Sequence, residues 1–455
     1  MTCADRKGAS SIMKKSHELG STNLVHDPGE LKRLAKALRK GELSATSLAM
    51  HYLERIESID RQVKAWRVVK PKQVLQEAAL RDNELRGGLD RGPLHGIPVA
   101  IKDIIDVIGY PTRANSKSRK DAKSVNADAS IVATLRQLGC VVLGKAHTTE
   151  FALQDPSPAR NPHAPDHTPG GSSSGSAAAV AAGMAPLAIG TQTVASVNRP
   201  AAYCGIGAFK PSTGSLPNFG ITPLAPNYDT PGLLAYRAAD AAFAYRALAP
   251  SYMPSEAISA ASPEILVVED PLIAQAAPSI QAAIETAVEA YKASQIAIKR
   301  FRSPIDFEKL VAQQRLTMLY ECGHSLAHLR AHGSSLIGPK LWSAIHEGLA
   351  IKAAHYDEAR RAIAQMRQKF FGRFKPHQVF LMPATPQTAP KGLDWTGDPS
   401  YIAGWTALGG PILTVPLCKD LEKLPIAALL SASPGQDRWL AHHCERLTKP
   451  IEHQD

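Results

Sequence analysis

From Pro93 onward, short apolar runs alternate with amphipathic stretches, and a chain patterned this way can bury the runs only as strands with helices laid over them. Ile97 to Ile101 reads as a strand closing on Lys102. Asp128 is expected to cap a helix carrying Ile131, Leu135 and Leu138, Gly139 to stop it, and Val141 to Leu143 to form the next buried strand. This β-loop-α-β unit makes the fold class α/β. Upstream, Asp27 as N-cap, Pro28 and Glu30 predict a helix with Leu31, Leu34 and Leu38 on one face, ending at Gly41. Ser44 starts a second helix, along which Leu48, Tyr52, Ile56 and Ile59 recur at helical spacing.

Residues 1–26 are polar and aperiodic, so a flexible leader is expected there. A long helical stretch over 306–371 precedes renewed strand character at Val379 to Met382. No repeat or Gly/Ser tract separates two units, so 27–455 is expected to be one domain with a helical N-terminal segment and a helical elaboration around 306–371. The Ala-rich run from Ala177 to Gly190 is broken by Gly183 and Pro186 and is shorter than the ~20 residues of a membrane span. It reads as a buried helix.

Composition narrows the function classes. Hydrophobic residues at 44% and charged residues at 20% suit a globular core. The net charge of +11 suggests nucleic acid or an anionic substrate, but Lys and Arg are spread over helix faces and no nucleic-acid motif accompanies them. The six cysteines form no CxxC pair, so reduced thiols are expected and neither zinc nor a disulfide framework is suggested. Lys14 and Lys15 precede no apolar signal core. A soluble cytoplasmic protein with no membrane partner follows as the expectation.

Three segments carry chemistry. Lys102 ends the apolar run of His95-Gly-Ile-Pro-Val-Ala-Ile-Lys102, where burial would disfavour the ammonium and leave a usable base. Thr168-Pro-Gly-Gly-Ser172-Ser173-Ser174-Gly-Ser176 runs into alanines, a glycine-rich approach to a helix start, yet it lacks the Gly-Lys-Ser/Thr ending of a phosphate loop. Ser196 lies in Gly190-Thr-Gln-Thr-Val194-Ala195-Ser196-Val-Asn-Arg199-Pro200, where a turn could expose a hydroxyl beside several backbone amides. Taken singly, each has a plainer reading: a strand-end lysine in water, a linker, a loop serine. No G-x-S-x-G elbow supports a Ser-His-Asp hydrolase. His163 and His167 sit four apart in a Pro-rich loop without an intervening Glu, which gives no metal motif.

In combination, these segments resemble the amidase signature family over about Leu94 to Gly232. Further similarity lies in Gly144-Lys-Ala-His-Thr-Thr-Glu-Phe151, Tyr203-Cys-Gly205, Asp229-Thr-Pro-Gly232 and the Trp405 to Pro416 region. The Gly-Thr-Gln-Thr before Ser196 and the Val-Asn-Arg-Pro after it look most like a branch of small-molecule amidases and 1-carboxybiuret hydrolase-like enzymes. The resemblance implies a large twisted mixed sheet covered by helices on both faces. It also implies a Ser-Ser-Lys triad: Lys102 as base, Ser172 as proton shuttle after a cis peptide bond, and Ser196 as nucleophile forming an acyl-enzyme. Thr193, Val194, Ala195 and Ser196 would supply the oxyanion hole, and Ser173 would help hold Lys102. Glu150, Phe151, Gln192, Tyr203 and Trp405 are the expected substrate-pocket residues.

The implied substrate is a small-molecule carboxamide or ureide-like compound, with no metal and no cofactor. A homodimer or a small helper subunit remains open. The family usually places two glycines where this chain has Val194 and Ala195, so either the loop keeps φ negative or the oxyanion hole is altered. An amidase-fold protein with weak catalysis, acting as a binding or assembly partner, is the alternative.

Overall fold

The computed structural model describes residues 24–252 and 258–452. Eleven strands form one mixed sheet: β1 (Trp66–Val69), β2 (Pro98–Lys102), β3 (Val141–Ala146), β4 (Leu187–Gln192), β5 (Gly207–Lys210), β6 (Thr230–Ala235), β7 (Glu264–Glu269), β8 (Ala297–Arg302), β9 (Gln378–Pro383), β10 (Ile412–Lys419) and β11 (Pro425–Ser431). Their order is β1-β3-β2-β4-β6-β5-β10-β11-β9-β7-β8. β2 runs parallel to both β3 and β4, and β7 runs parallel to both β8 and β9. Antiparallel pairs through β6, β5, β10 and β11 join these two parallel groups.

The inner strands β2 to β6 are buried along their whole length, as strands covered on both faces must be. β8, at the sheet edge, alternates exposed and half-buried residues and carries Lys299, Arg300 and Arg302. Charge of this kind discourages edge-to-edge pairing.

The expected β-loop-α-β unit is present as β2, the helix Ser130–Gln137 and β3, with Gly139 at φ +82° ending the helix. Several boundaries differ from the sequence reading. The first helix is Leu31–Arg39, and Asp27 does not cap it: its Oδ1 accepts from Gly29 N, while Leu31 N donates to Asp240 Oδ1 at 2.9 Å from across the fold. Asp128 is likewise diverted, accepting from Ile108 N and pairing with Arg136. Ser44 does cap the helix Ala45–Val63, accepting from Ser47 N at 3.0 Å.

The run from Ala177 to Gly190 is not one helix. The helix Ser174–Ala181 stops, Gly183 turns the chain at φ +69°, and β4 follows. Leu24 is buried and His26 N donates to Ala181 O, so residues 24–26 of the span assigned to the leader pack on the fold; residues 1–23 lie outside the described residues. The 306–371 stretch comprises the helices Phe307–Ser325, Pro339–Ala350 and Ala353–Phe371. No helix among the described residues is long and apolar enough to cross a membrane.

Candidate active site

Strand pairing brings the three segments together. β2 and β4 lie side by side, so Lys102 at the end of β2 meets Thr191 near the end of β4. Lys102 is fully buried, with Nζ 2.7 Å from Ser172 Oγ, 2.9 Å from Thr191 Oγ1 and 3.4 Å from Thr191 O. Burial drives its ammonium well below the ordinary lysine range, and the charge of Asp229 opposes this.

Ser172 follows a cis peptide bond from Gly171, as expected for this position. Its carbonyl accepts from Thr149 N at 3.1 Å, and the next amide, Ser173 N, donates to Ser196 O at 3.1 Å. Backbone bonds thus fasten the glycine-serine segment to the Ser196 loop. Among the described residues no hydrogen bond joins the Ser172 and Ser196 hydroxyls directly. Ser173 Oγ lies 3.3 Å from both Thr191 O and Thr191 N. It thus braces Thr191, whose oxygens accept from Lys102 Nζ. Gly190 permits this approach, since a Cβ there would stand 2.6 Å from Ser173 Oγ.

The loop from Thr193 to Ser196 is fixed from below. Gln192 Oε1 accepts from Val197 N at 2.9 Å and Asn198 N at 3.0 Å, giving the short helix Asn198–Tyr203 a side-chain cap. Gln192 Nε2 donates to Thr406 Oγ1, which donates to Val194 O at 2.6 Å. Thr193 Oγ1 donates to Asp229 Oδ1 at 2.5 Å, and Asp229 Oδ2 accepts from Leu224 N and Ala225 N. Burial pushes the Asp229 carboxyl up. Neither Val194 nor Ala195 has a positive φ, so the loop accommodates their Cβ atoms in ordinary backbone. The N–H groups of Val194, Ala195 and Ser196 donate to no protein acceptor among the described residues. Three donors beside one hydroxyl are thereby left open.

These residues face a cavity of about 490 Å3 lined by Thr193, Val194, Ala195, Ser196, Arg199 and Gln314, among others. Lys102, Ser172 and Ser173 lie behind Ser196, away from solvent. A second cavity of about 530 Å3, where β7, β8 and β9 end, is lined by none of the candidate site residues.

The expected pocket residues are placed elsewhere, since none of the five lines the Ser196 cavity. Glu150 Oε2 accepts from Gly338 N at 2.7 Å, at the start of the helix Pro339–Ala350. Phe151 is buried with the Arg119 guanidinium 4.7 Å over its ring. Gln192 is the loop brace just described. Tyr203 is buried against Gly397, and its carbonyl accepts from Asn161 Nδ2. Trp405 sits in an aromatic cluster with Phe307, Phe370 and Phe380, ring centroids 5.3–5.7 Å away, and its Nε1 meets Met382 Sδ. Sequence reasoning missed Thr191, Asp229 and Gln314 as supports of the site. Asp229 had a signal in Asp229-Thr-Pro-Gly232 and Thr191 in Gly190-Thr-Gln-Thr; Gln314 had none.

A family model described as Amidase matches residues 47–440. The chain belongs to the amidase family. It is 31% identical over 404 residues to a glutamyl-tRNA(Gln) amidotransferase subunit from Thermobifida fusca (strain YX), covering 78% of this chain and 80% of that one. The native peptide amidase from Stenotrophomonas maltophilia superposes with a TM-score of 0.78 at 27% identity, covering 94% of this chain and 99% of that one. A vestigial protein complex that reveals the evolutionary origins of an s-triazine catabolic enzyme contains a chain with a TM-score of 0.84 at 25% identity, covering 94% and 100%. Hydrolysis of amide bonds is the chemistry this amidase shares with its family, and the mixed sheet is the family's fold.

Proposed function

We propose that this amidase hydrolyses the carboxamide or ureide-like C–N bond of a small molecule through an acyl-enzyme on Ser196, with Lys102 and Ser172 as the proton relay. The observation that carries this reading is the arrangement of donors around Lys102 Nζ. A neutral amine has two N–H donors and one lone pair. Thr191 Oγ1 and Thr191 O accept the two donors, which leaves the lone pair for the Ser172 hydroxyl 2.7 Å away. Ser172 then donates to Lys102 and can take a proton from Ser196.

The Ser172–Ser196 contact is the link that substrate binding completes, since catalytic hydrogen bonds often tighten only in the Michaelis complex. As the Ser196 oxygen attacks, the carbonyl oxygen gains charge beside the open amides of the 194–196 loop, with Thr193 completing the same turn. One such donor is worth roughly 3 kcal/mol of barrier. The proton returns through Ser172 to the departing ammonia or amine, and water repeats the relay to release the acid. The Thermobifida fusca relative belongs to a multi-subunit enzyme, which supports the reading that this chain too works beside a partner chain.

A panel of small amides, ureides, arylamides and amino-acid amides tests the reading. Hydrolysis of at least one compound is expected, with loss of about a thousandfold or more in Ser196→Ala. Unchanged hydrolysis in Ser196→Ala would remove the nucleophile. No wild-type hydrolysis anywhere in the panel would favour a binding or assembly role.

A further inference from the structure

A carboxamide group occupies a small part of a cavity of about 490 Å3, a volume in the range of about 300–1,000 Å3 typical of pockets for drug-sized ligands. The remaining wall is mainly apolar. Val311, Met318 and Leu319 from the helix Phe307–Ser325 form one side. Trp395 lines the same cavity and is 47% exposed. An indole left half in water beside a reactive hydroxyl gains by being covered.

The chain on either side of Trp395 is anchored. The carbonyl of Asp394 accepts from Lys340 Nζ. On the other side, Arg199 donates to Thr396 Oγ1 at 2.9 Å and to Gly397 O. The same guanidinium donates to Gly171 O at 2.9 Å, so the loop carrying Trp395 is tied to the residue just before Ser172. An anchored backbone beneath the indole lowers the ordering a ligand must impose.

Protein groups hold the cations of the cavity in position, with Arg199 Nε left without a partner among the described residues. Arg315 pairs with Glu347 at 2.9 Å, Lys340 holds the Asp394 carbonyl, and Arg199 spends its terminal nitrogens on Gly171, Thr396 and Gly397.

We propose that Trp395 is the specificity-determining wall of the site, and that the substrate is an amide carrying a flat apolar group, aromatic or similarly unsaturated, which lies against the indole. This rests on the reading of Ser196 as the nucleophile of amide hydrolysis.

Three primary amides test it: propionamide, 3-phenylpropionamide and succinamate. Wild-type kcat/KM is expected to favour the phenyl compound over each of the others by at least about tenfold. Trp395→Ala should lower the phenyl-to-propionamide ratio about tenfold, mainly through KM, and Trp395→Phe should keep most of it. A ratio unaltered in Trp395→Ala, or a wild-type preference for succinamate or propionamide, would overturn the inference and leave amide hydrolysis standing. No turnover of any of the three, or of the wider panel, would overturn the underlying reaction and the inference with it.

Discussion

Lys102 and Trp405 show what a single residue reveals in advance and what it conceals. A lysine closing a wholly apolar strand is chemically out of place, and the structure keeps it fully buried with its nitrogen held by Ser172 and Thr191. Trp405 stands among glycines and alanines near the end of the chain, where an aromatic could as well face a ligand; its neighbours Phe307, Phe370 and Phe380 come from sequence far away. No local signal separates the two cases. Because Trp405 is core, Trp405→Ala should cost about 3–5 kcal/mol of stability in denaturant melts. Any soluble fraction should keep the wild-type KM. A raised KM with unaltered stability would return Trp405 to the substrate pocket.

Elements were legible where their signals were local. Ser44 capped its helix, Gly139 ended the helix Ser130–Gln137, and β2 closed at Lys102 as the pattern required. Asp27 and Asp128 look like equally good caps in sequence, but other partners claimed both: nearby Gly29 and distant Arg237 for one, Ile108 and Arg136 for the other. The segment after Ser176 failed for a different reason. Alanine is at home in a helix and tolerated in a buried strand, so hydropathy cannot divide Ala177 to Gly190. Gly183 and Pro186 were the division, and the strand beyond them is β4, which delivers Thr191 and Gln192 to the site. The role of Thr191 depends on β2 and β4 being adjacent and was invisible without that pairing, while that of Gln192 depends on Thr406 from a distant helix and on the turn after Ser196.

Across the whole molecule, the conjunction of three segments gave the family and the α/β fold, whereas the sheet order, the cavity and its charge balance needed the structure. The buried titratable groups give the fold a pH signature of its own. Burial pushes Asp240 up to about 7, against the opposing charge of Arg237, and pushes Lys210 down to about 7, against that of Asp437. For Asp240, with a raised folded value, the stability contribution is full below the unfolded value of about 3.9 and drains as pH rises toward 7. Lys210, with a depressed folded value, contributes fully above about 10.4, and that contribution drains as pH falls toward 7. Urea melts across pH should therefore show the wild type losing ground to Asp240→Asn between about pH 4 and 7 and gaining on Lys210→Met between about pH 7 and 10. Parallel curves would contradict the assignment.

Exchanging the Lys102 amine for an apolar group of similar length probes the account at its centre. Amide hydrolysis by Lys102→Met, assayed beside its thermal melt at pH 7, should fall by at least about a hundredfold, while the variant melts at or above the wild-type temperature because a desolvated amine has been replaced by a thioether. Hydrolysis within a few-fold of wild type would contradict the account, since a proton would then be leaving the serine hydroxyls by some other route.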